Sequence, residues 1–411
     1  MASRTALGRL RKVGASDARR ARVDAATDEA NAKTLTEALG ALKGAALKLG
    51  QLLALQSHSL PRAYTHALSS LHAEAPPMHG TLMRMQFHRE MGRYPEELFA
   101  SYETEPMAAA SLGQVHGAVT RSGERVAVKV QYPGIERSIA SDLANLRGTL
   151  ETFSLSRRRA PDVWNAVDEV EERLAAEVDY RREADSAELF RKLLAGRDDV
   201  AVPRVHRELS SRRVLTLERL DGDHLAAFLK RRPSQDERDA LATQLLDLFF
   251  LETLRLGLLH ADPHPGNFLF LPGGRIGLLD FGCVKGFDAA IREHHRAVYH
   301  VAPGDTAALL ALHERFAFYT ADDPRRDAKR DALLDMERLD LAKYHDARPF
   351  DFGDAAHLRS LTSIMGTFLK LGLTTPSFVY YVRAKLGLYG LFHQMKARVR
   401  CQDVVARYLE D

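Results

Sequence analysis

An Asp, an Asn five residues later and a second Asp thirteen residues beyond constrain this 411-residue chain more than any other feature. They are Asp262, Asn267 and Asp280, within His260-Ala-Asp-Pro-His-Pro-Gly-Asn267 and Leu279-Asp-Phe-Gly282. A carboxylate and an amide carbonyl are hard oxygen ligands of the kind magnesium prefers. Between Asn267 and Asp280 lie Phe268-Leu-Phe-Leu271, a Pro272-Gly-Gly274 turn and Arg275-Ile-Gly-Leu-Leu279. Two short apolar runs around a Pro-Gly-Gly turn predict a β-hairpin. Such a hairpin would bring Asn267 and Asp280 to the same end.

An H-x-D-x-x-x-x-N loop, a short apolar stretch and D-F-G is the order of the catalytic and metal loops of protein kinases. In that chemistry one Asp faces the phosphoryl acceptor, and the Asn and second Asp hold magnesium on the ATP phosphates. The rest of such a site should lie upstream. Val126-Ala-Val-Lys129 reads as a strand ending in a Lys that would contact the α- and β-phosphates. That Lys needs a carboxylate partner, and Glu177, Asp179 and Glu183 are the candidates; Asp179 and Glu183 share a helix face. Leu217-Glu-Arg-Leu-Asp-Gly222 closes a strand before a helix, where Glu218 and Leu220 would present backbone groups to adenine. A G-x-G-x-x-G loop is missing. Ala108, Ala109, Ala110 and Ser111 stand in its place, and their side chains restrict the close backbone approach to phosphate that glycine allows.

The remaining pattern sorts into four stretches. Residues 1–24 form a basic tail, with Arg4, Arg9, Arg11, Lys12, Arg19, Arg20 and Arg22 opposed by Asp17 alone within the first 22 positions. Contact with anionic lipid and a solvated tail are both open for it, the second being the simpler. Residues 25–95 read as helical, with Leu35, Leu39, Leu42, Ala46, Leu49, Leu53 and Leu60 at helical spacing. Residues 96–221 are β-rich, with runs at Gln114–Val119, Arg125–Gln131, Ala201–Glu208 and Arg213–Leu220 and helical periodicity over 134–152 and 162–195. Residues 222–411 are mostly helical apart from the 268–280 hairpin. A β-rich lobe followed by a helical lobe, with ATP chemistry where they meet, gives an α+β, kinase-like bilobal fold.

Bulk properties remove other classes. Net charge is +3, too small to argue for nucleic acid. Two cysteines, Cys283 and Cys401, build neither a disulfide framework nor a zinc site and fit a reducing compartment. The apolar stretch at 245–259 is broken by Asp247, Glu252 and Arg255, and that at 378–392 by Arg383 and Lys385, so no transmembrane segment is expected. No secretory signal is evident either. The expectation is a cytoplasmic chain, with peripheral attachment to a membrane as its further possibility.

Four motifs together resemble the UbiB (AarF-type) atypical kinase-like family, which is associated with coenzyme Q biology. They are Lys48-Leu-Gly-Gln51, the alanine-rich loop Ala108–Ser111, Glu177-x-Asp179 and His260-x-Asp-Pro-His-Pro-Gly-Asn267. The resemblance implies a kinase-like lobe pair with a helical N-terminal extension over the cleft. It implies that Lys48 and Gln51 point toward Glu177 and Asp179, that Glu183 pairs with Lys129, that Asp262 is the catalytic carboxylate, and that Asn267 and Asp280 hold Mg2+ on ATP. It also implies an ATPase, or a kinase for a small molecule or lipid, working on quinone precursors or at anionic lipid. The chain departs from kinases at position 264, where His replaces the Lys that neutralises the transferred phosphoryl group. An antibiotic- or choline-kinase-like phosphotransferase shares the H-x-D-x-x-x-x-N loop but lacks the K-x-G-Q and E-x-D elements. A nucleotide-gated scaffold without turnover is the remaining alternative.

Overall fold

The computed structural model describes residues 78–110, 112–152, 164, 168, 171, 174, 177–373 and 376–410. Lys48, Gln51, Ser111, the basic tail and most of the helical extension lie outside the described residues. The chain divides into two compact units: residues 1–184 with 205–219, and residues 185–204 with 220–411.

In the first unit, helix α1 (Gly80–Met91) begins where the His79 ring accepts the Thr81 N–H and ends at Gly92, whose φ of 72° suits glycine. The sheet contains β1 (Phe99–Tyr102), β2 (Ala108–Ala110), β3 (Gly113–Thr120), β4 (Arg125–Gln131) and β6 (Val214–Glu218). Its order is β1-β3-β4-β6, with β2 also paired to β3. Alternation along β4 sends Val126, Val128 and Val130 into a core with Met83, Phe87, Phe99, Ala118 and Val214. Ala127, Lys129 and Gln131 therefore take the other face. Helix α2 (Ile135–Thr152) follows the sheet hairpin as the periodicity predicts.

Two expectations need correction here. Ala108–Ala110 is not a loop: it is a strand, with Ala108, Ala109 and Ala110 opposite Val115, Gln114 and Gly113. Ala201–Glu208 is not one strand. Val200–Ala201 forms a two-residue strand (β5), Val205 makes an isolated bridge to Leu217, and Arg207–Leu209 forms a 3-10 turn. Pro203, which has no N–H for a ladder, interrupts the run.

Gly113 is the position in this sheet where only glycine fits. A Cβ there would lie 2.1 Å from the Val130 carbonyl oxygen. Gly113→Ala is expected to cost about 3 kcal/mol, at the upper end of overpacking, read as a lower urea midpoint with an unchanged slope.

Helix α3 (Tyr180–Leu193) contains the division between the units, which falls after Ala184. In the second unit β8 (Phe268–Leu271) and β9 (Arg275–Leu278) form the expected hairpin, with Gly273 and Gly274 at positive φ in its turn. Strand β5 adds to β9 in parallel. A second ribbon pairs β7 (Leu258–His260) with β10 (Val284–Gly286), setting His260 opposite Val284.

The helices of this unit include α4 (Gln235–Phe250), α5 (Ala289–His300), α6 (Thr306–Arg315), α7 (Arg326–Asp340), α8 (Ala355–Leu371) and α9 (Pro376–Met395). Ser234 and Glu237 close a capping box at the start of α4. The chain then continues without a break into a π-helix, Leu251–Leu256, stopped by Gly257 at φ 66°. Among the described residues no helix is long and apolar enough to cross a membrane.

Candidate active site

The first unit carries the Lys129 set. Lys129 Nζ donates to both carboxylate oxygens of Glu183 at 2.8 Å. The side chains are 12% and 6% exposed, so this pair is far from the solvated surface bridges that contribute little. Strand geometry explains Lys129: it lies between Val115 on β3 and Leu215 on β6, on the face opposite the valine core. Helix geometry explains Glu183: it sits in the first turn of α3, where a carboxylate favours the positive end of the helix dipole. The Tyr180 ring, 5.0 Å below the ammonium, closes the site from the helix side.

Of the three candidate carboxylates, Glu183 is thus the one bonded to Lys129. Asp179 instead accepts from the Arg181 backbone N–H and guanidinium at 3.0–3.1 Å. The Arg181 hydrogen bond holds its carboxyl below the usual range. Glu177 lies just before it, at the approach to α3. Glu218 ends β6 opposite Val126, and Leu220 follows the division between the units. Ala108 and Ala109 are exposed and Ala110 half-buried at the sheet edge. Val115 and Ala127, small apolar residues beside Lys129 on the same face, were not singled out from sequence; the period-2 alternation around Lys129 is the signal that marks them.

The second unit carries the Asp262 set. Asn267 Nδ2 donates to the Asp262 backbone oxygen at 3.0 Å and to Asp262 Oδ2 at 2.9 Å. This fixes the amide so that Asn267 Oδ1 points away from Asp262, free to serve as a hard ligand. Asp262 Oδ1 accepts from Arg383 Nη2 at 2.8 Å. Asp280 Oδ1 accepts the Gly282 N–H at 2.8 Å, which ties the carboxylate to its own turn. His260 Nε2 donates to the Asp280 carbonyl oxygen, so the two loops are joined directly. Rings reinforce the joint: Phe281 lies 5.4 Å from Phe190 of α3 and 5.7 Å from His260.

One amide oxygen and one carboxylate suit magnesium, which keeps several waters and takes the rest of its shell from phosphate. Among the described residues no cluster of three or more His, Cys, Asp or Glu could hold a metal by itself. An amide oxygen and a carboxylate would fit a magnesium ion whose remaining ligands are water and phosphate oxygens.

Against the 260–267 loop lies a pocket lined by Leu248, Leu259, Pro263, Phe268, Ala384 and Leu388 together with Glu252 and His260. Glu252, on the π-helix and 2% exposed, accepts the His260 N–H through Oε2 at 2.9 Å, while Oε1 has no partner. Burial pushes its carboxyl up to about 8, opposed in part by that hydrogen bond. The raised value means the neutral form is the one the fold prefers. The contribution to stability is complete below the ordinary Glu value and is lost as pH rises through about 8. Wild type is expected to weaken against Glu252→Gln by up to about 1.4 kcal/mol per pH unit across that window. Parallel melting curves over pH would refute this.

Known proteins agree with this architecture. A family model described as the ABC1 atypical kinase-like domain matches residues 70–313. The chain is 32% identical over 384 residues to the atypical kinase COQ8B, mitochondrial, of Danio rerio, covering 92% of this chain and 60% of that one. It is also 32% identical over 381 residues to COQ8B of Rattus norvegicus, covering 92% of this chain and 71% of that one. The chain therefore spans less than two thirds of the zebrafish protein. A solved structure, Rv3197 of Mycobacterium tuberculosis with erythromycin, superposes with a TM-score of 0.68 at 28% identity, over 95% of this chain and 98% of that one. A matched kinase-like domain, relatives along most of the chain and a shared fold lead to one conclusion: this chain belongs to the ABC1 (UbiB-type) atypical kinase-like family.

Proposed function

We propose that the protein binds Mg-ATP and turns it over, as an ATPase or as a kinase for a small molecule or lipid, in support of isoprenoid-quinone synthesis or lipid homeostasis. The observation that carries this reading is the Asp262–Asn267–Asp280 set, with the Asn267 amide locked by Asp262 and the Asp280 loop tied to His260. In this reading Lys129, oriented by Glu183, neutralises the α- and β-phosphates. Asn267 and Asp280 hold magnesium on the outer phosphates, where the metal screens developing charge. Asp262 orients the attacking hydroxyl or water and takes its proton. Ala108–Ser111 cover the phosphates, and the strand end at Glu218 and Leu220 receives adenine. Lys48 and Gln51, with Glu177 and Asp179, occlude a protein substrate.

The quinone link rests on the named relatives, which are mitochondrial atypical kinases. The absence of a long apolar helix among the described residues is compatible with peripheral contact with anionic lipid. Purified protein is expected to bind Mg-nucleotide and to hydrolyse ATP faster with anionic liposomes and a phenolic quinone-precursor mimic. Asp280→Asn is expected to abolish the magnesium dependence. A chain that binds no Mg-nucleotide, or on which Asp280→Asn has no effect, would sink the proposal. Erythromycin, bound by the solved relative, is a useful additional probe.

A further inference from the structure

The catalytic loop has no phosphate-neutralising cation of its own. Position 264 is His, and its ring is turned onto the loop, Nδ1 accepting the Gly266 N–H at 3.1 Å. A cation nevertheless reaches Asp262 from 121 residues away: Arg383 Nη2 donates to Oδ1 at 2.8 Å. Both groups are partly open, with side chains 27% and 33% exposed.

Helix α9 is shaped to deliver this arginine. Gly387 lies one turn beyond Arg383 on the same face, and a Cβ there would come within 2.1 Å of Pro263 Cγ. Glycine thus lets the helix backbone lie against the residue next to Asp262. Lys385 points elsewhere, into the core, where it donates to the Tyr299 hydroxyl at 2.7 Å and to Asp340. Contacts on separate sides of α9 fix its rotation and depth, and so fix where the guanidinium sits.

We propose that Arg383 replaces the missing catalytic-loop lysine: it holds the Asp262 carboxylate and neutralises the phosphoryl group during transfer. This rests on the ATP-turnover reading above. In hydrolysis, a water oxygen bonds to the γ-phosphorus as the bond from that phosphorus to the β,γ-bridging oxygen breaks. ADP leaves with the electron pair, and the water proton passes to Asp262 and then to solvent. A guanidinium hydrogen-bonded to Asp262 stands beside the attacking oxygen. It has five N–H donors in a planar fork, so binding Asp262 leaves others for phosphate oxygens.

The test compares wild type, Arg383→Ala, Arg383→Lys, His264→Lys and the double variant His264→Lys/Arg383→Ala in the full chain. The readouts are kcat, KM for ATP, Mg-ATP affinity and melting temperature. Arg383→Ala is expected to lower kcat by about 10²–10³-fold, with nucleotide affinity and melting temperature nearly unchanged. Restoring a cation from the loop in the double variant should recover at least about tenfold of that loss, and added guanidinium should recover part of it in Arg383→Ala. Wild-type turnover with an unimpaired Arg383→Ala overturns this inference alone. So does an Arg383→Ala that loses melting temperature, affinity and turnover together without rescue by His264→Lys, since that is the behaviour of a structural strut. A wild type with no ATP turnover overturns the parent reading and this one with it.

Discussion

Asp340→Ala is expected to cost about 3–5 kcal/mol of stability, the range for removing one partner of a buried ion pair. Asp340 is 8% exposed and accepts from Lys343 at 2.6 Å, from the Tyr389 hydroxyl at 3.0 Å and from Lys385. Lys343 and Lys385 are 4% and 7% exposed, so a single carboxylate compensates two buried ammonium groups. Burial works against the ionised Asp340, but attraction to Lys343 and Lys385 outweighs it and holds the carboxyl well below its usual range. Its stabilisation is therefore present above the unfolded value of about 3.9 and is lost as pH falls below it. Without Asp340, both lysines would have to shed protons or stay charged in a dry core, and either is costly. Urea unfolding measures the loss. Asp340→Ala combined with Lys343→Met and Lys385→Met should recover most of it, because apolar replacement of a whole buried ionic group is close to neutral. A single variant as stable as wild type would show that the cluster carries no net charge interaction.

If the protein turns over ATP as proposed, Asp262→Asn is expected to have the largest effect, lowering kcat by about 10²–10⁴-fold, the usual contribution of a general base. The amide keeps an oxygen for Arg383 or Asn267, so the loop should stay folded and Mg-ATP should still bind. It cannot accept a proton, so the loss should fall on kcat and not on affinity. Single-turnover hydrolysis with bound Mg-ATP separates the two. Retention of more than a tenth of wild-type kcat would remove Asp262 from the chemistry.

The site was most legible where its residues lie close in sequence. The 268–280 hairpin and the alternating run of β4 are local patterns, and each appears where it was read. The Lys129–Glu183 pairing was legible only through the family resemblance, since acidic residues crowd the approach to α3. The strand nature of Ala108–Ala110 was hidden because alanine has little strand preference; pairing with β3 overrides it. Ribbon β7–β10 has strands of three residues, too short to show a period. Arg383 was visible from sequence only as a charge interrupting an apolar stretch. Its bond to Asp262 depends on the long-range docking of α9, and no local pattern encodes that.

The π-helix at Leu251–Leu256 has a bearing on how this chain could tolerate insertions and deletions. A π-turn is one residue longer than the α-turn it replaces, so the segment reads as a single insertion into α4. Deleting one residue upstream of Glu252 would let the helix run on as α and swing that side chain by about 100° around its axis. The carboxyl would then no longer reach the His260 N–H, and the ring that ties the Asp280 loop would lose its backbone anchor. A deletion that normally relaxes a helix should here loosen the Asp262 loop ten residues downstream of Glu252.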